Sequence, residues 1–117
     1  MKKILIVDDA VFMRNTLKMM LERNDFEVVG QAEDGEDAIN QFIKLKPDLV
    51  TMDITMPKMS GLEALVKIKQ VDPNAKIIMI TAMGNESMVK EAILNGAVNF
   101  IVKPFQEDKV VEVLRRT

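Results

Sequence analysis

Four short aliphatic runs in this chain each stop on a polar side chain. Ile4-Leu5-Ile6-Val7 ends on Asp8, Leu49-Val50-Thr51-Met52 on Asp53, Ile77-Ile78-Met79-Ile80 on Thr81, and Phe100-Ile101-Val102 on Lys103. A run that is apolar throughout, without alternation, predicts a strand buried on both faces, and such strands sit in parallel sheets covered by helices on either side. The clearest is Leu49–Asp53, set off by Lys46-Pro47-Asp48 before it and Met56-Pro57 after it. Parallel strands deliver their end residues to one rim, which is where ligands gather in open α/β sheets.

The intervening segments carry helical periodicity. Met13, Leu17, Met20 and Leu21 recur on one face and predict a helix that stops at Asn24-Asp25. Val28-Val29-Gly30 reads as a short strand at a sheet edge. Asp34 is an N-cap candidate ahead of a stripe of Ala38, Ile39, Phe42 and Ile43. Ser60 and Glu63 fit a capping box, with Leu62, Leu65 and Val66 expected to face inward. Val89, Ala92 and Ile93 predict a fourth helix closing at Asn95-Gly96. Val110, Val111 and Leu114 predict a fifth, with Arg115 and Arg116 placed against its dipole. Five strand–helix units in 117 residues predict a single domain, 1–117, folded as a doubly wound three-layer α/β sandwich. The spacing leaves the strand order open.

Composition removes several kinds of chemistry. There is no cysteine and no histidine, which excludes thiolate catalysis, disulfides, zinc–histidine sites and histidine-based triads. A net charge of −2 with both signs mixed offers no field for nucleic acid or an anionic membrane. The apolar start meets charge at Asp8, so it predicts a strand and not a signal or membrane segment. A soluble cytoplasmic domain is the expectation. The methionines (Met13, Met19, Met20, Met79 and others) are expected to fill the core.

Taken singly, the rim residues have plain readings: Asp8-Asp9 as a turn and helix cap, Asp53 as a loop residue, Thr81 as a strand end, Lys103 as a surface cation. Together they set an electrostatic problem. Carboxylates brought to about 4 Å repel by about 4 kcal/mol per pair at an effective dielectric near 20. A hard divalent cation with oxygen ligands, Mg²⁺ above all, offsets that repulsion, with Lys103 as a second positive charge. Because Mg²⁺ takes one or two carboxylates plus phosphate oxygens, the rim suits a phosphoryl group, with Asp53 as the nucleophile. Thr81 would then hydrogen-bond one phosphoryl oxygen and Lys103 neutralise another.

The segments Ile6-Val7-Asp8-Asp9, Thr51-Met52-Asp53-Ile54-Thr55-Met56-Pro57, Ile80-Thr81-Ala82 and Val102-Lys103-Pro104-Phe105 resemble the receiver domains of two-component response regulators. The likeness covers the whole chain and is nearest to stand-alone chemotaxis regulators of the CheY type. It implies a flavodoxin-like sheet in the order 2-1-3-4-5, the order that CheY itself exemplifies. By the same resemblance, Asp53 accepts a phosphoryl group from a histidine kinase, and Asp8 or Asp9 with Asp53 binds Mg²⁺. The backbone carbonyl of Thr55 completes the metal's protein ligands, Thr81 and Lys103 contact the phosphoryl group, and the Lys103–Pro104 bond is cis. Ala82 leaves room for phosphoryl access. Phe100 takes the switch-aromatic position, where the family often has tyrosine. The implied readout is a repacked face made of the fourth helix, fifth strand and fifth helix. The implied partners are a CheA-like kinase, a flagellar or archaellar motor protein and a phosphatase, with the domain itself a monomer.

Three other readings compete. A haloacid-dehalogenase-type phosphohydrolase resembles Asp-x-Asp at the nucleophile, but Thr55 stands at the second position here. A flavodoxin-like cofactor binder wants a phosphate loop after the first strand, and Asp8-Asp9 would repel the phosphate. A phosphorelay intermediate, or the receiver of a larger regulator, shares every motif above.

Overall fold

A computed structural model describes residues 1–117. The chain alternates strand and helix without exception: β1 (Lys3–Val7), α1 (Val11–Glu22), β2 (Glu27–Ala32), α2 (Gly35–Leu45), β3 (Leu49–Asp53), α3 (Gly61–Val71), β4 (Ile77–Ala82), α4 (Glu86–Leu94), β5 (Asn99–Lys103) and α5 (Glu107–Arg116). The five strands form one parallel sheet in the order β2-β1-β3-β4-β5. The expected flavodoxin-like order is the one observed. β3 lies at the centre and is buried at every position, as its unbroken apolar run requires.

Side-chain alternation along the strands divides the core in two. Ile4, Ile6, Leu49, Ile78 and Ile80 face Leu17 and Leu21 of α1 and Val110 and Leu114 of α5. Leu5, Val7, Val50, Met52, Ile77 and Met79 face Ala38 and Phe42 of α2, Ala64, Leu65 and Ile68 of α3, and Ala92 of α4. No helix is long and apolar enough to cross a membrane.

β2 is an edge strand, as expected, and its register carries a bulge. Ile4 pairs with Val28, but the next residue, Leu5, pairs with Gly30. The extra residue reverses which side of the sheet the remainder of β2 faces. Val28 packs with the α1/α5 core, whereas Ala32, four residues on, packs with the α2/α3/α4 core.

Several sequence expectations need correction. Ile43, Ile93 and Met19 are exposed at 50, 43 and 65 %, so they do not belong to inward stripes or to the core. In α3 the buried face is Gly61, Ala64, Leu65 and Ile68, with Leu62 and Val66 only half-buried. The reason is a narrow contact: a short helix laid on a twisted sheet buries one strip, and apolar residues a quarter-turn away stay at its margin. β5 is a second edge, and only Ile101 within it is buried.

The predicted N-caps form, although at Ser60 only half of the expected capping box is made, without the return bond from the Ser60 amide to the Glu63 carboxylate. Asp34 accepts a hydrogen bond from the Asp37 amide at 2.9 Å, and Ser60 from the Glu63 amide at 3.2 Å. Ser60→Ala is expected to cost about 1 kcal/mol of unfolding free energy, measured by urea titration.

Candidate functional site

The sheet register builds the site. Val7 pairs with Met52, which sets Asp8 level with Asp53. Asp53 pairs with Ile80, so Thr81 lies one residue beyond that level, and Ala82 pairs with Lys103, so the lysine lies two beyond it and reaches back over the rim. Carboxylate oxygens of Asp8, Asp9 and Asp53 all lie within 4.8 Å of each other. The Lys103 ammonium is 3.4 Å from Asp8 Oδ2 and 3.7 Å from Asp53 Oδ1. Asp8 and Asp53 are buried and Asp9 is exposed, so the cluster opens to solvent on one side.

Asp8 is held from several directions. Its amide donates to the Ala32 carbonyl at 3.1 Å, and its Oδ1 accepts from the Ala10 amide at 2.9 Å. Asp53 is less well compensated. Burial pushes its carboxyl up to about 6, and the charges of Asp8 and Asp9 push the same way, while Lys103 and the Thr55 amide pull it back. Three carboxylates against one ammonium leave two formal negative charges at the rim. The donor set therefore fits a divalent, oxygen-seeking cation.

The remaining predicted residues lie around this cluster. Thr81 is buried, and its hydroxyl donates to the Ala82 carbonyl at 3.3 Å. Thr55 is exposed, with its amide turned to Asp53. The Lys103–Pro104 bond is cis. Phe100 is 42 % exposed and lines a hollow of about 440 Å³ that also touches Thr81, Met83, Val89 and Val102.

Two participants escaped the sequence reading. Gly61 packs so tightly beneath Asp53 that a Cβ there would stand 2.1 Å from the Asp53 carbonyl oxygen. Its amide donates to the Ile54 carbonyl at 2.7 Å. Arg14 donates to the Asp8 carbonyl at 2.6 Å. Both contacts are short in sequence, but each depends on how the turn after its strand doubles back, which no residue pattern there announces.

A parallel α/β domain with an acidic triad and a lysine at its carboxyl rim defines a class, and residues 4–115 match it: the chain belongs to the response regulator receiver domain family. Within that family it is similar to the chemotaxis protein CheY of Bacillus subtilis, with 56 % identity over 115 residues covering 98 % of this chain and 96 % of that protein. The Listeria monocytogenes chemotaxis protein CheY is 55 % identical over 116 residues, covering 99 % and 98 %. A chain of the crystallised CheX–CheY–BeF₃–Mg²⁺ complex of Borrelia burgdorferi superposes with a TM-score of 0.94 at 40 % identity, covering 98 % of this chain and 87 % of that one.

Proposed function

We propose that this chain is a chemotaxis response regulator of the single-domain kind, phosphorylated on Asp53 by a CheA-like histidine kinase with Mg²⁺ at the acidic rim. The observation that carries the reading is the meeting of Asp8, Asp9, Asp53 and Lys103 within a few ångströms at the sheet's carboxyl end. Relatives covered almost end to end include chemotaxis CheY proteins, and the Borrelia complex contains Mg²⁺ and a CheX partner. The whole chain acts as one receiver domain.

Asp8, Asp9, Asp53 and the Thr55 carbonyl would hold the cation, which when bound supplies two positive charges against the acidic cluster and the incoming phosphoryl oxygens. One Asp53 oxygen forms the new P–O bond as the P–N bond of the kinase phosphohistidine breaks, and the imidazole leaves with that electron pair. Lys103 neutralises a phosphoryl oxygen, and Thr81 turns from the Ala82 carbonyl to donate to another. The added charge of about −1.5 to −2 thus moves Thr81, and Phe100 has the adjoining hollow to turn into. The repacked α4–β5–α5 face is the surface a motor-side partner reads, shifting the population by its differential affinity.

The test is intact mass after incubation with acetyl phosphate, with and without Mg²⁺, beside Asp53→Asn. One phosphoryl adduct that requires Mg²⁺ and is missing in the variant is expected. An adduct indifferent to Asp53, or none at all, overturns the reading.

A further inference from the structure

The half-buried guanidinium of Arg14 has no carboxylate within salt-bridge distance, although three carboxylates meet at the nearby rim. It is committed elsewhere. One arm donates to the Asp8 carbonyl at 2.6 Å, and Nε donates to Gln31 Oε1 at 3.2 Å. The first contact is charge-assisted and falls on the backbone of the turn that carries Asp8 and Asp9. The second anchors the arginine to the edge strand.

The bulge in β2 makes that anchor available. Gly30 faces α2, where a Cβ would meet Gln41 and Leu45. Gln31 therefore faces the opposite side, toward α1, and reaches Arg14. With the register of Ile4↔Val28 continued unbroken, Gln31 would point at α2 instead. The strand itself is fixed from the α2 side, where Gln41 Nε2 donates to the Gln31 carbonyl at 2.5 Å and to Asp37 Oδ2 at 3.1 Å. A bulge beside a functional rim that re-aims one polar side chain is a recurrent device.

We propose that Arg14 is a positioning residue: anchored on Gln31, it grips the Asp8 carbonyl and so fixes the turn that presents Asp8 and Asp9 to the divalent cation. This rests on the Mg²⁺ site assigned above. Electrostatics and positioning predict opposite signs, which makes the idea decidable. Removing a cation from an acidic rim strengthens Mg²⁺ binding by Coulomb's law alone. Loosening the turn that carries two ligands weakens it, on the order of tenfold for a group that orients metal ligands.

The experiment is calorimetric titration of the full chain with MgCl₂, paired with thermal unfolding in EDTA. Arg14→Ala is expected to raise the Mg²⁺ Kd about tenfold. Arg14→Lys keeps the charge but cannot span both acceptors, and it should recover only part of the loss. Gln31→Leu keeps the volume, breaks the anchor and should weaken Mg²⁺ on its own, while adding nothing in the Arg14→Ala background. Unchanged or tighter binding in Arg14→Ala overturns the proposal. Should Arg14→Ala not fold, Gln31→Leu decides: wild-type Mg²⁺ affinity there overturns it equally. Wild-type protein that binds no Mg²⁺, or binds it undiminished after Asp9→Asn and Asp53→Asn, overturns the site reading instead.

Discussion

Asp53→Asn is expected to stabilise the metal-free domain at pH 7 by about 2–3 kcal/mol, a rise on the order of 10 °C in Tm, while abolishing the phosphoryl adduct. Asp53 is buried, flanked by Asp8 and Asp9, and its carboxyl sits near 6 against an ordinary 3.8. Between those values the folded chain holds a proton that the unfolded chain has released. Stability from this group is therefore full below about pH 4, falls as pH rises to about 6, and stays reduced above that. Asparagine cannot ionise, so the advantage of the variant should change little between pH 7 and about pH 6 and shrink from there down to pH 4. Lys103 is not stranded by the change, because Asp8 remains at 3.4 Å. Thermal scans in EDTA at pH 7, 6, 5 and 4 measure the difference. A variant no more stable than wild type at pH 7, or equally favoured at pH 4, contradicts the account. Mg²⁺ should stabilise wild type and act weakly on the variant, since it removes the same repulsion.

Gly61→Ala is the second large effect, in the opposite direction. The added methyl would meet the Asp53 carbonyl oxygen at 2.1 Å and the Ile54 Cα at 2.8 Å, both backbone atoms that no rotamer change relieves. Gly61 has no positive φ, so the requirement is for space and not for conformation. Overpacking of a tight site costs about 1–3 kcal/mol, and a rigid neighbour puts this one at the top of that range. A Tm loss on the order of 10 °C is expected. The loop that follows Asp53 must also shift, so on the proposed function adduct formation with acetyl phosphate should slow even at temperatures where the variant is folded. Wild-type stability together with a wild-type phosphorylation rate would show that α3 can retreat without cost.

The sheet was legible in the sequence because burial on both faces leaves an unbroken apolar run. Leu49–Met52 and Ile77–Ile80 carry that signature without ambiguity. Their end residues follow from strand direction, which is why Asp8, Asp53, Thr81 and Lys103 could be grouped before any coordinates. Periodicity was less reliable on the helices. Ile43 and Ile93 lie on plausible stripes but emerge at the margins of narrow contacts. Gly61 and Arg14 were invisible for another reason. What makes them matter is a neighbour supplied by tertiary register: the underside of Asp53 in one case, a bulged Gln31 in the other.

Lys103 reaches Asp8 across 95 residues of chain. During synthesis at about 5–20 residues per second, the growing polypeptide presents all three aspartates several seconds before the lysine that partly balances them. Until β5 arrives and closes the edge of the sheet, the nascent domain carries an acidic pocket without its balancing ammonium. The charge balance of the rim is thus set by its latest strand, and the order of synthesis separates the acidic half of the cluster from its basic half.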